Sequence, residues 1–118
     1  MNSKQTSMTS SEPIVVLITA ANRDEAARIG EMLVNARLAA CVQVLPEILS
    51  IYRWLGEVAR ETEVLLMAKT TSGRFAELDL AVKAIHSYEI PEIVALPVTE
   101  ISEPYLKWLQ AEVVLDQG

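Results

Sequence analysis

The chain has 118 residues, 51% of them hydrophobic, a mean hydropathy of +0.25, a formal net charge of −6 and a pI near 4.7. That length fits one domain, the acidity argues against a nucleic-acid partner, and no apolar stretch reaches the length of a membrane span. A single cysteine, Cys41, excludes an intrachain disulfide framework. The apolar surplus has to be buried in a dense core or between subunits.

Residues 1–12 are polar and lack the apolar centre of a signal peptide, so the sequence predicts a disordered tail, a single domain over 13–115 and a cytoplasmic location. The run Ile14, Val15, Val16, Leu17, Ile18 predicts a strand buried on both faces. A helix follows from Asn22, which caps it, with Glu25 placed to reach back in a capping box. Ala26, Ile29, Leu33 and Ala36 form its inward stripe. A second strand runs over 39–45. Pro46 has no backbone donor and marks a bulge or break. Strand resumes over 49–55, turns at Gly56 and Glu57, and returns over 63–71. A second helix starts near Ser72, with Phe75, Leu78, Val82 and Ile85 on one stripe, and ends at His86. A buried strand follows over 93–98. Ser102 then caps a last helix with Pro104 in its first turn and Leu106, Leu109 and Val113 inward.

The order βαββαβ plus a terminal helix predicts an α+β, ferredoxin-like domain. A returning hairpin arm of about nine residues spans roughly 30 Å, against a radius of gyration of about 13 Å for a compact domain of this size. Both faces of the arms are apolar. The hairpin should therefore project and pair with other copies in a homo-oligomer.

His86, Glu89 and Glu92 place an imidazole and two carboxylates within one short segment, a set suited to borderline divalent ions such as Cu(II). The plainer reading is that His86 ends a helix and is favoured by its dipole. Two or three such ligands give weak binding at most. Cys41 reads first as a small buried hydrophobe and second as a soft-metal ligand. Tyr52, Trp54 and Tyr88 read as interface aromatics or as the walls of an inter-subunit cleft. Glu63 and Lys69 share one face of a strand and read as a partly buried ion pair or as polar groups of that cleft. Asn22 and Arg23 follow the first strand, where a phosphate could bind, but no glycine-rich cradle precedes them and capping explains Asn22. No nucleophile or acid–base pair stands out, so no enzyme is expected.

Several segments resemble one family. They are Leu38-Ala39-Ala40-Cys41-Val42; Ser50-Ile51-Tyr52-Arg53-Trp54-Leu55-Gly56; Glu63 through Lys69-Thr70; His86-Ser87-Tyr88-Glu89-Ile90-Pro91-Glu92-Ile93; and Tyr105-Leu106-Lys107-Trp108-Leu109. Their co-occurrence in order, across residues 15–108, is similar to the CutA divalent-cation tolerance proteins. The resemblance implies a PII-like homotrimer with the β2–β3 hairpins exchanged around a three-fold axis. It also implies tolerance of divalent cations, copper above all, no catalytic reaction, and no cofactor required for folding. It makes His86, Glu92 and Glu89 the metal candidates, and it leaves a PII-like signalling module, with a small ligand or partner protein in the clefts, as the alternative. Ser87 stands where the family usually has proline, which predicts a looser chain after His86. Gln43 stands where asparagine is common. Ile18 stands where some members carry a cysteine.

Overall fold

Alternation along the first strand sorts its apolar run into two faces. In the computed structural model, which describes residues 10–114, Ile14, Val16, Ile18 and Ala20 of β1 (Pro13–Ala20) are buried while Val15 and Leu17 are half-buried. The helix α1 (Arg23–Asn35) starts at Asn22, whose side-chain oxygen accepts from the Glu25 backbone N at 2.8 Å. Ala26, Ile29 and Leu33 are fully buried on its inner stripe. Ala36, expected on that stripe, is instead the exposed C-cap. The chain leaves in a Schellman turn, with Leu38 N bonded to Leu33 O, Arg37 N to Val34 O, and Arg37 at φ 59°.

The strands β2 (Cys41–Trp54) and β3 (Glu57–Thr71) form one long antiparallel hairpin. Its returning arm begins at Glu57 rather than near Glu63. The reason is the tip: Leu55 at φ 51° and Gly56 at φ 82° make a two-residue turn of the I′ kind, which hands the chain straight back into pairing at Trp54↔Glu57. The register breaks between Leu45↔Leu65 and Ile48↔Glu63, where β2 places Pro46 and Glu47 against Val64 alone. This is the bulge expected at Pro46, with Glu47 at φ 56°. It decides which side chains face which way. Before the bulge, Cys41, Gln43 and Leu45 lie opposite Lys69, Met67 and Leu65. After it, Ser50, Tyr52 and Trp54 continue the same face, opposite Glu61, Ala59 and Glu57. The molecule measures 45 × 33 × 27 Å, with a Cα radius of gyration of 15.3 Å, larger than the compact expectation because the hairpin projects.

A 3-10 turn (Ser72–Arg74) precedes α2 (Phe75–Ile85), so the helix proper starts three residues after Ser72. Leu78 and Val82 are fully buried, whereas Ile85, expected inward, is 45% exposed. The elements β4 (Ile93–Pro97) and α3 (Glu103–Val113) complete the chain. Strand order is β2-β3-β1-β4, antiparallel throughout. This is the ferredoxin-like βαββαβ plan with an added C-terminal helix. Helices α1 and α2 cover one sheet face around Val16, Ile18, Ile29, Leu33, Leu66 and Leu78. Helix α3 makes a smaller cluster, in which Leu109 and Val113 meet Ala40 and Tyr105. Among the described residues, no helix is long and apolar enough to cross a membrane.

Two expectations need correcting. β4 is not a buried strand: it pairs with β1 only, at the sheet edge, and leaves Val94 47% and Leu96 45% exposed. The tail expected over 1–12 lies outside the described residues as far as residue 9, but residues 10–12 are tied down. Gly73 N donates to Ser10 O at 2.8 Å, Ser72 N to Glu12 O at 2.9 Å, and the Gln110 side chain to Ser11 O at 2.9 Å. A Cβ at Gly73 would meet Ser10 O at 2.8 Å, so this close approach needs glycine.

Leu66 sits fully buried in the middle of the sheet. Leu66→Ala is expected to lower stability by about 3 kcal/mol, measured by denaturant unfolding.

Candidate functional site

Glu25 organises the end of the sheet where the candidate residues gather. Its side chain is 4% exposed. It does not reach back to Asn22, as a plain capping box would. Oε1 accepts from Ala21 N and from Ser87 Oγ, both at 3.0 Å, and Oε2 accepts from Ser87 N at 2.7 Å. Burial works to raise the carboxyl pKa, but the bonds from Ala21 and Ser87, with His86 nearby, outweigh it and hold the pKa below the usual carboxylate value. Ser87 is therefore not a loosening substitution. Its N–H and hydroxyl clamp the chain onto Glu25, and proline at that position offers neither donor.

His86 follows α2 as its C-cap, in extended backbone at φ −75° and ψ 144°. Its side chain is 0% exposed. Nε2–H donates to Thr19 O at 2.7 Å, and Nδ1 accepts from Tyr88 N–H at 3.0 Å, which requires a lone pair on Nδ1. Glu25 Oε2 lies 3.6 Å from Nδ1. Both ring nitrogens are thus committed to holding the loop against β1. The ring also packs on Tyr88, with centroids 4.7 Å apart.

Tyr88, so placed, donates its hydroxyl to Glu63 Oε2 at 2.7 Å. Burial first, and then the Glu63 carboxylate, push the Tyr88 hydroxyl well above the usual tyrosine pKa, so it stays a donor. Glu63 is 8% exposed. Both belong to a cleft of about 660 Å³ between the hairpin and the loop after α2, lined also by Thr19, Ser50, Ile51, Tyr52, Trp54, Glu61, Glu89, Ile90 and Glu92. Partial desolvation, followed by the charges of Glu61 and Glu63, raises the Tyr52 hydroxyl. Among the described residues, no lysine or arginine lines this cleft.

Of the residues singled out from sequence, the structure brings together Tyr52, Trp54, Glu63, Tyr88, Glu89 and Glu92. It leaves out His86, whose ring faces β1. It also leaves out Lys69, which shares the sheet face of Glu63 but lies six residues, roughly 20 Å, along the strand. Lys69 makes no ion pair with Glu63. Its ammonium lies 5.8 Å from the centre of the Tyr105 ring, and residue 69 itself pairs with Cys41 across the strands. A basic neighbour for half-buried Cys41 was not visible in sequence, because strand pairing creates it. Burial, and then Cys41, raise the Tyr105 hydroxyl. Ile18 is fully buried on the helix-covered face, away from the cleft. Glu61 was overlooked in sequence. The signal for it was its place two residues before Glu63, on the same side of the strand.

A ferredoxin-like domain with an over-long hairpin flanking an acidic, aromatic-walled cleft defines the class of protein. The sequence model of the family described as "CutA1 divalent ion tolerance protein" matches residues 14–112. The "Divalent-cation tolerance protein CutA" of Thermus thermophilus is 51% identical over 96 residues, which is 81% of this chain and 93% of that protein. The "Protein CutA homolog" of Xenopus laevis is 45% identical over 78% of this chain, although this chain spans only 61% of the frog protein. The solved structure of a "Divalent cation tolerance protein (Cut A1)", also from Thermus thermophilus, superposes with a TM-score of 0.85 at 48% identity, over 86% of this chain and 99% of that one. The chain belongs to the CutA1 divalent ion tolerance protein family.

Glu25→Ala would leave the partly buried N–H groups of Ala21 and Ser87 without their acceptor and is expected to cost about 2 kcal/mol. Because the folded pKa of Glu25 lies below its unfolded value, its contribution is complete above the ordinary carboxylate range and is lost as pH falls through the folded value. The stability gap between the parent and Glu25→Gln, followed by thermal unfolding across pH, should therefore narrow on acidification. Ser87→Pro should lower the unfolding midpoint as well, since both bonds from residue 87 to Glu25 disappear.

Proposed function

We propose that this chain works as a homotrimeric divalent-cation tolerance protein whose acidic cleft takes up divalent ions, Cu(II) among them, through Glu63, Glu89 and Glu92. The observation that carries this reading is the cleft itself: four carboxylates line it and no basic side chain offsets them. Carboxylate oxygens accept hard and borderline divalent ions and hold copper less tightly than imidazole would, so binding is weak. This moves the metal role from His86, whose nitrogens are engaged elsewhere, to the carboxylates beyond it. Among the described residues, no three His, Cys, Asp or Glu side chains form a ready metal cage. Water, or carboxylates of another copy, would complete the coordination.

Trimerisation draws support from what a single chain leaves uncovered. On the hairpin face turned away from the cleft, Leu49 is 55% and Val58 63% exposed. Leu55 is 87% exposed at a positive φ that costs a leucine about 1 kcal/mol. A greasy tip in an unfavourable conformation is what a contact with another copy would retain. β4 adds an unpaired, apolar sheet edge, a template for a further strand. The PII-like alternative, a signalling trimer with a small ligand in its clefts, gains from the cleft volume. It loses from the lack of basic residues, which a nucleotide or other anion would need.

Calorimetric titration of Cu(II) into metal-free protein tests the reading, with oligomeric state followed by light scattering. A trimer should bind saturably, and the Glu89→Gln/Glu92→Gln double variant should stay trimeric while losing about tenfold or more in affinity. His86→Ala should lower stability and leave ion affinity nearly unchanged. Equal affinity in the parent and the double variant would remove the cleft as the ion site. Leu49→Asp should dissociate the trimer.

A further inference from the structure

A single metal ion leaves most of this cleft unexplained. A volume of about 660 Å³ falls within the range of sites that enclose small organic molecules and far exceeds what one coordinated ion fills. The carboxylates are spread rather than focused. Glu61 and Glu63 point the same way from β3, two residues or about 7 Å apart, while Glu89 and Glu92 enter from the loop before β4, and no three of them make a metal cage. Separated negative groups match a ligand with separated positive charges. The walls between them are aromatic: Tyr52, Trp54 and Tyr88 line the same space, and aromatic faces attract alkylammonium groups. Tyr52 and Trp54 are 41% and 48% exposed in the single chain.

An independent observation concerns Glu63. It is more than nine-tenths buried, at 8% exposure, and its Oε2 is held by the Tyr88 hydroxyl. No lysine or arginine among the described residues forms an ion pair with it. A buried carboxylate without a counter-charge is costly unless something cationic completes it. An ammonium group supplies three donors and a full charge in one small head.

We infer that the cleft binds a linear aliphatic polyamine, with one ammonium group on Glu63, its neighbours on Glu61, Glu89 and Glu92, and the methylene chain against Tyr52 and Trp54. The inference rests on the cleft being the cation site proposed above, and it names an organic class of cation for it.

The test uses the full chain, freed of metal, titrated with spermidine at low and at physiological salt, with Cu(II) titrated in parallel. The expected result is saturable binding of one spermidine per chain that persists at physiological salt. Affinity should fall about tenfold or more in Glu89→Gln/Glu92→Gln, whose altered residues are exposed, and by a similar factor in Trp54→Leu, which keeps every charge. Trp54 should also report the ligand as a change in fluorescence that the Trp54→Leu variant lacks. Binding that does not saturate, vanishes with salt, or is equal in all three proteins would be general attraction to an acidic surface and would overturn the inference. Carboxylate-dependent Cu(II) binding with no spermidine binding would overturn it too, while leaving the metal reading intact. Spermidine binding without Cu(II) binding would uphold it and sink the metal reading.

Discussion

The buried carboxylate of Glu25 is the constraint on which the candidate site depends. Three elements converge on it: the end of β1 through Ala21, the first turn of α1 that carries it, and the loop after α2 through Ser87. Its charge costs solvation, and three hydrogen bonds offset that cost. Because Ser87 is fixed, His86 is held under β1 and Tyr88 is aimed at Glu63. A first-turn residue of the helix is therefore also the anchor of the cleft wall. Losing it would loosen a site in which Glu25 takes no direct part.

The hairpin supplies the opposite wall and divides its labour between two faces. One face presents Ser50, Tyr52 and Trp54, with Glu61 and Glu63, towards the cleft. The other presents Leu49 and Val58 to the outside. Such an arm is not stable by virtue of its own core, since little covers it within one chain. The apolar composition noted at the outset, 51% of residues, is spent here as well as in the core under α1 and α2. Positive φ at Glu47 and Leu55, in the bulge and at the tip, marks the two points at which the arm is shaped.

Much of the fold was legible because period and punctuation agree. The strands, the helices and the bulge at Pro46 follow from alternation, caps and missing donors. The hairpin was underestimated because charged Arg60 and Glu61 fell outside the strand read from Glu63 onward, whereas a two-residue turn at Leu55 and Gly56 extends pairing through them. β4 read as buried because its composition is apolar; edge position is a property of topology that composition does not encode. The site was half legible. Tyr52, Trp54, Glu63, Tyr88, Glu89 and Glu92 were named from sequence and do meet. His86 was grouped with the cleft residues because a histidine beside carboxylates looks alike in sequence whether it faces a cavity or a backbone carbonyl. Only the position of Thr19 O distinguishes the two. Lys69 was misplaced because sharing a strand face says nothing about distance along it.

The bulge at Pro46 and Glu47 has an evolutionary corollary. Everything distal to it on β2 inherits its orientation from one unpaired residue, so orientation behaves like a reading frame. Pairing Pro46 and Glu47 as two separate rungs, with no bulge, would leave every side chain of the arm unchanged in identity yet turn Tyr52 and Trp54 outward and bring Leu49 inward. An acidic, aromatic cavity would become a greasy one, and an oily contact surface would become a polar one. Length changes between the bulge and Tyr52 preserve that orientation when they come as pairs of residues and reverse it when they come singly, so the reach of the arm can vary while its parity stays fixed.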